Sequence, residues 1–124
     1  HVHLTVLGAM EVDQTGAIAN WKIPGRLVKG MGGAMDLVSS ADNIIVAMMH
    51  TDRYGNSKLK TSCSLPLTGV DCVKRIVTNL AVIDITEDGF LLKERAPNIE
   101  INQIVKATEG VLIVPDHVKE MEFD

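Results

Sequence analysis

Lys29-Gly30-Met31-Gly32-Gly33-Ala34-Met35-Asp36-Leu37-Val38, followed closely by Asn43-Ile44-Ile45-Val46-Ala47-Met48, decides how this chain is read. The first stretch opens with three Gly in five residues and continues as a helix-capable run. The second is short, apolar and rich in β-branched residues, the strongest strand signal in the chain. A glycine loop, a short helix and then a strand apolar along its length is the pattern of an α/β domain. Strands of that kind belong to sheets buried on both faces, which are mostly parallel.

Working outward, His3 to Leu7 reads as another buried strand, ending at Gly8. Gly8-Ala9-Met10 marks a close backbone approach. Val12-Asp13-Gln14-Thr15-Gly16 carries turn chemistry, Ala17 to Trp21 returns as a short strand, and Ile23-Pro24-Gly25 breaks the chain. Downstream, Asp52 to Ser57 is a polar loop, and Leu65-Pro66-Leu67-Thr68-Gly69 is extended. Val70, Val73, Ile76, Val77 and Leu80 have helical spacing, which predicts a helix over 70–80 with Thr68 as cap and Asp71 in its first turn. Ala81 to Ile85 and Phe90 to Arg95 read as strands joined by a turn at Glu87-Asp88-Gly89. Ile99 to Thr108 reads as a helix that starts at Pro97 or Asn98 and is ended by Gly110. Val111 to Val114 is a last strand, stopped by Pro115.

The composition agrees. The chain has 124 residues, 46% hydrophobic and 23% charged, which fits one soluble globular domain and argues against disorder. Aromatics are only 3%, so the core is built from Val, Ile, Leu, Ala and Met. The net charge of −4 argues against general nucleic-acid binding. No window approaches the ~18 apolar residues of a membrane span. Two cysteines, Cys63 and Cys72, are too few for a disulfide scaffold and fit reduced cytosolic thiols. The opening His1-Val2-His3-Leu4 reads like the middle of a strand, so residues 1–124 are expected to be a single-domain fragment of a larger subunit.

The glycine loop is the main chemical candidate. Successive N–H groups with no Cβ in the way form an anion-binding nest, and the same donors can stabilise an oxygen that develops negative charge. Gly30, Gly32 and Met35 fail the dinucleotide fingerprint, and no Gly-Lys-Ser/Thr follows for a P-loop. Read from the residues alone, the loop is either such a nest or a tight packing turn. His1, His3, His50 and His117 lack metal-ligand spacing, so no metal site is expected. His50, just past a predicted strand, is either a loop group with chemistry or a strand-end residue bonded to backbone. Asp36 reads as a helix cap ahead of a substrate-positioning group, Met31, Met35, Met48 and Met49 as core filler ahead of a binding surface, and the two cysteines as small core or surface residues. No Ser/His/Asp or Cys/His arrangement is legible.

Taken together, Gly8-Ala9-Met10, Ala19-Asn20-Trp21, Ile23-Pro24-Gly25, Val28 through Val38 and Leu65 through Gly69 resemble the C-terminal half of the B (β) subunit of the family I CoA-transferases. The nearest types are succinyl-CoA:3-ketoacid and acetate- or butyrate–acetoacetate CoA-transferases. The resemblance runs from His3 to about Val114. It implies an α/β fold on a mostly parallel sheet with flanking helices, shared with sugar-phosphate isomerases. It also implies an A subunit or fused A half as partner, within an oligomer.

The implied reaction moves CoA from an acyl-CoA to a short-chain carboxylate or 3-oxoacid through a glutamyl-CoA thioester. CoA enters as substrate, and no metal or organic cofactor takes part. The resemblance makes the backbone N–H of Gly33 an oxyanion donor, with Gly30, Gly32 and Ala34 shaping the substrate wall. The family's nucleophilic glutamate lies in a Ser-Glu-Asn-Gly motif, which this sequence lacks, so the isolated chain is expected to be inactive. The sequence departs at Met48-Met49-His50, where the family often has Met-Glu-His, and at Lys22, where Met is common. The expected setting is the bacterial cytoplasm, with the mitochondrial matrix as the other candidate. The rival reading is a non-catalytic binding or assembly module, or an isomerase-like domain, on the same fold.

Overall fold

The computed structural model describes residues 4–7, 11–19, 43–65, 67 and 71–122. The expected helix after the glycine loop and the break at Ile23-Pro24-Gly25 lie outside the described residues. The strands are β1 (Leu4–Leu7), β2 (Glu11–Asp13), β3 (Ile18–Ala19), β4 (Asn43–Ala47), β5 (Leu59–Lys60), β6 (Val73–Val77), β7 (Ala81–Thr86), β8 (Gly89–Arg95), β9 (Leu112–Ile113) and β10 (Lys119–Glu120). Helix α1 (Ile101–Ala107) lies between β8 and β9.

Among the described residues seven strands form one sheet in the order β1-β4-β6-β7-β8-β10, with β9 also pairing β8. The pairings β1–β4, β4–β6, β8–β9 and β8–β10 are parallel, and the β6–β7–β8 meander is antiparallel. The sheet is therefore mixed, with its parallel pairings outside the meander. A second sheet, β3-β2-β5, is built on the β2–β3 hairpin.

One core joins the two sheets. Ile44 and Val46 of β4, Val73 and Ile76 of β6, Ala81 and Ile83 of β7, and Phe90 and Leu92 of β8 are buried together. Val12, Ile18 and Leu59 enter from the small sheet, and Ile104 from α1. Each fully buried aliphatic or aromatic side chain contributes roughly 1.5–3 kcal/mol relative to exposure.

The helix expected over 70–80 is not formed: Val73–Val77 is β6. A β-bulge explains the misleading spacing. Ile44 pairs with Val73 but Ile45 pairs with Arg75, so Lys74 is an extra residue on β6. Val73 and Ile76, three apart, then both face the core, while Lys74 and Arg75 face outward. Asp71 has φ 47°, a left-handed conformation that a first helical turn does not use.

Helix α1 starts later than expected. Asn98 is left-handed at φ 65°, so the chain turns there instead of entering the helix. Glu100 is the N-cap, and its N–H donates to the Gln103 side-chain oxygen at 2.8 Å. At the other end Thr108, not Gly110, is the cap residue. Gly110 answers a packing need instead: a Cβ there would lie 2.5 Å from Cε2 of Phe90. The strand expected over 111–114 is confined to Leu112–Ile113, and it is not the last, because β10 follows Pro115. The two-residue strands β5 and β10 were too short to carry a sequence period.

Candidate functional site

Parallel strands point their carboxyl ends the same way, and ligands of α/β sheets sit at that edge. Here the adjacent parallel strands β4 and β6 lead into Met48-Met49-His50 and Thr78-Asn79-Leu80, while Gly8-Ala9-Met10, next in sequence after β1, lies outside the described residues. Gly30, Gly32, Gly33 and Ala34, the expected substrate loop, lie outside the described residues, as do Asp36, Lys22, Thr68 and Gly69.

His50 closes this edge. Its side chain is fully buried, and both ring nitrogens meet hydroxyls: Nδ1 lies 2.8 Å from Thr78 Oγ1 and Nε2 lies 2.8 Å from Thr108 Oγ1. Its backbone N–H donates to Asn79 Oδ1 at 2.9 Å, and its carbonyl accepts the Lys58 N–H at 2.9 Å. Burial pushes its pKa down to about 4, so the imidazole is neutral at physiological pH. Of the two readings from sequence, the structure supports the bonded strand-end residue, but with side-chain hydroxyls as ring partners. Met49, beside it, is 57% exposed.

A second polar cluster was not legible in the sequence. Glu11 and Asp13 on β2 are both buried, and both hold the segment Cys63-Ser64-Leu65. Glu11 Oε1 accepts the N–H groups of Ser64 at 2.8 Å and Leu65 at 3.0 Å. Its Oε2 accepts the Ser64 hydroxyl at 2.7 Å. Burial alone would raise this carboxyl, but the Ser64 and Leu65 hydrogen bonds and the Lys60 charge outweigh it and hold the pKa below the ordinary value.

Asp13 accepts from the N–H groups of Thr15, Ala17 and Cys63 and from the Thr15 hydroxyl. That locks the β2–β3 turn, where Gly16 has φ 87° and its carbonyl accepts the N–H groups of Cys72 and Val73. The only sequence signal for this pair was the turn pattern around Asp13. Alternation along β2 gives no warning, because Glu11, Val12 and Asp13 are all buried.

An open cavity of 260 Å³ lies over this cluster, lined by Glu11, Asp52, Ser57, Lys58, Lys60, Ser64 and Leu65. Burial lowers the Lys58 pKa, partly opposed by Asp52. Lys60 Nζ lies 3.6 Å from Glu109. The thiols nearby are poor nucleophiles. Burial and the Asp13 and Glu11 charges push Cys63 up to about 12, and burial raises Cys72. Among the described residues no cluster of three or more His, Cys, Asp or Glu is placed to hold a metal. No helix among them is long and apolar enough to cross a membrane.

The fold, a mixed α/β sheet, is shared with a solved acyl-CoA transferase. Its apoenzyme, from Escherichia coli O157:H7, superposes with a TM-score of 0.77 at 23% identity, over 96% of this chain and 27% of that one. The chain belongs to the coenzyme A transferase family, which matches residues 1–107. It is 47% identical over 123 residues to the beta chain of the acetate CoA-transferase of Haemophilus influenzae, covering 99% of this chain and 55% of that one. It is 48% identical over 110 residues to the B chain of the succinyl-CoA:3-ketoacid coenzyme A transferase of Helicobacter pylori, covering 89% of this chain and 53% of that one. The chain thus spans about half the length of these curated relatives.

Proposed function

We propose that this chain forms part of a CoA-transferase of the 3-oxoacid type and supplies its glycine-rich oxyanion loop. The observation that carries the reading is the match of residues 1–107 to the coenzyme A transferase family, with 47% identity to the beta chain of an acetate CoA-transferase. In this reading the partner is an A subunit or a fused A half, within an oligomer. The substrates are an acyl-CoA, such as succinyl-CoA or acetoacetyl-CoA, and a short-chain carboxylate or 3-oxoacid. The setting is the bacterial cytoplasm, with the mitochondrial matrix as its eukaryotic counterpart.

The chemistry divides between this chain and groups outside it. A glutamate from outside residues 1–124 attacks the thioester carbonyl, and the CoA thiolate leaves, giving an acyl-glutamyl anhydride. The thiolate then attacks the glutamyl carbonyl, which releases the first carboxylate and leaves a glutamyl-CoA thioester. The acceptor carboxylate runs the two steps in reverse. At each addition the carbonyl oxygen gains negative charge, and the N–H of Gly33 donates to it. Gly30, Gly32 and Ala34 keep that backbone open to the substrate.

The described residues are consistent with a nucleophile supplied from elsewhere. Both thiols are held protonated, and the Glu11 carboxylate is committed to Ser64 and Leu65. Glu109 pairs with Lys60, and Glu120 with Arg95. The deciding experiment assembles this chain with the missing subunit segments and the A half, then assays transfer from succinyl-CoA to acetoacetate. Turnover with a borohydride-sensitive glutamyl-CoA adduct supports the reading. Turnover without such an adduct, or none in a folded assembly, overturns it.

A further inference from the structure

The hydroxyls around His50 settle where its ring proton sits. Thr78 Oγ1 accepts the N–H groups of Leu80 at 3.0 Å and Ala81 at 3.1 Å, so both of its lone pairs are taken. Its own O–H is left to donate, and its near acceptor is His50 Nδ1 at 2.8 Å, against 3.5 Å to the Ala81 carbonyl. On the other side, Thr108 Oγ1 lies 2.7 Å from the Ile104 carbonyl, which can only accept. The Thr108 O–H therefore goes to Ile104, and its oxygen is left to accept from His50 Nε2. Each side independently requires a bare Nδ1 and a protonated Nε2.

We propose that His50, neutral and protonated at Nε2, is a latch that fastens the β6–β7 turn and the C-terminal end of α1 to the end of β4, and that acid opens it. Protonation would place a second N–H at Nδ1, facing an oxygen whose lone pairs are full. To accommodate it, Thr78 must turn its hydroxyl to the distant Ala81 carbonyl and shed the N–H of Leu80 or Ala81. The alternative is for the imidazolium to leave its pocket and release Thr108, hence the last turn of α1. This inference is independent of the CoA-transfer reading.

Among the described residues no nearby charge relieves the conflict. The turn 78–80 carries no titratable group. From the β5 side Lys58 contributes its backbone N–H to His50. On the chain following His50, the Asp52 carboxylate is taken by Tyr54 and Asn56. After Thr108, the Glu109 carboxylate is turned to the Thr61 N–H and Lys60. Lys106 on α1 is exposed. Among the described residues burial is the one cause of the depressed ring.

The test is NMR on the 124-residue chain, labelled with nitrogen-15 in its histidine rings, together with amide hydrogen exchange from pH 7 to pH 4. The expected result is a His50 ring protonated at Nε2 alone at neutral pH. The amides of Leu80, Ala81, Ala107 and Thr108 should lose protection roughly thirtyfold between pH 6.5 and pH 4.5, after correction for intrinsic rates, while those of the β7–β8 pairing beyond Ala81 hold. His50→Gln keeps an acceptor and a donor but cannot titrate, so this loss should vanish. A ring protonated at Nδ1 would overturn the proposal, as would the same acid loss in His50→Gln. If that variant does not fold, the wild-type ring spectrum and the pH dependence of its four amides decide.

Discussion

The Glu11 carboxylate lies beneath the Ser64 turn and accepts both the backbone N–H of Ser64, at 2.8 Å, and its hydroxyl, at 2.7 Å. A residue of β2 thereby anchors a segment more than fifty positions away. Glu11→Ala removes the acceptor and leaves the N–H groups of Ser64 and Leu65 unpaired, at a cost of about 2–3 kcal/mol. Glu11→Gln retains an oxygen for both N–H groups, with the Ser64 hydroxyl turned to accept, and should cost about 1 kcal/mol or less. Urea denaturation of the two variants measures the difference; equal losses would show that charge, not hydrogen bonding, holds the turn.

The large sheet was mostly legible in the sequence because its strands are short, apolar and β-branched. Asn43–Ala47, Ala81–Thr86 and Gly89–Arg95 form where expected. What failed was period. The bulge at Lys74 puts Val73 and Ile76 on one face at a separation of three, and a single sequence cannot distinguish that from a helix. The Glu11 and Asp13 cluster was hidden for a different reason. Its partners lie about fifty residues away, and acids on a wholly buried strand break the alternation by which strands are read. His50 stood out only by its place after β4; its partners Thr78 and Thr108 could be joined to it only by the fold.

Gly110 gives a packing prediction. A Cβ at this position would stand 2.5 Å from Cε2 of Phe90 and 3.0 Å from the Lys60 carbonyl. Phe90 is fully buried, so its ring has little room to move. Gly110→Ala should destabilise the chain by about 1–3 kcal/mol through overpacking. Phe90→Leu in the same background should recover part of that loss, and a double-mutant cycle in urea would detect the coupling.

Cys63 gives a chemical one. With burial and the Asp13 and Glu11 charges pushing its pKa to about 12, its thiolate population at pH 8 is roughly a thousandfold below that of an ordinary thiol. Iodoacetamide should therefore modify the folded chain at Cys63 far more slowly than the urea-unfolded chain. Asp13→Asn removes one of the opposing charges and should speed the reaction in the folded state. A Cys63 that reacts at the unfolded rate would contradict the pocket described.

His50 predicts a pH dependence of known sign. Its folded pKa is about 4 against 6.5 for the free side chain, so between these values the unfolded chain binds the proton and the folded one does not. Stability from this group is complete above pH 6.5 and is lost progressively as pH falls toward 4. The full loss is about 3 kcal/mol. Carboxylates also respond to acid, so the readout is the difference between wild type and His50→Gln in urea midpoints across pH 7 to 4. The wild type should lose more; parallel curves would mean that the ring titrates alike in both states.

The last prediction concerns Gly33 in the assembled enzyme. If its N–H receives the oxyanion, the interaction strengthens as the carbonyl becomes tetrahedral and contributes little to the bound thioester. A change that displaces that donor should then act on kcat more than on KM. Losing one such donor raises the barrier by about 3 kcal/mol, a hundredfold or more in rate. Gly33→Val adds a branched Cβ to the loop and should produce that split, with binding of the acyl-CoA largely kept. Gly33→Ala, a smaller perturbation of the same backbone, should fall between the two. The 124-residue chain alone should show no transfer whatever occupies position 33, because the sequence lacks the Ser-Glu-Asn-Gly motif. Stopped assays from succinyl-CoA, run on the assembly and on the isolated chain, separate these cases. Equal and small changes in kcat and KM for Gly33→Val would make the glycine a packing turn and move the oxyanion donor elsewhere.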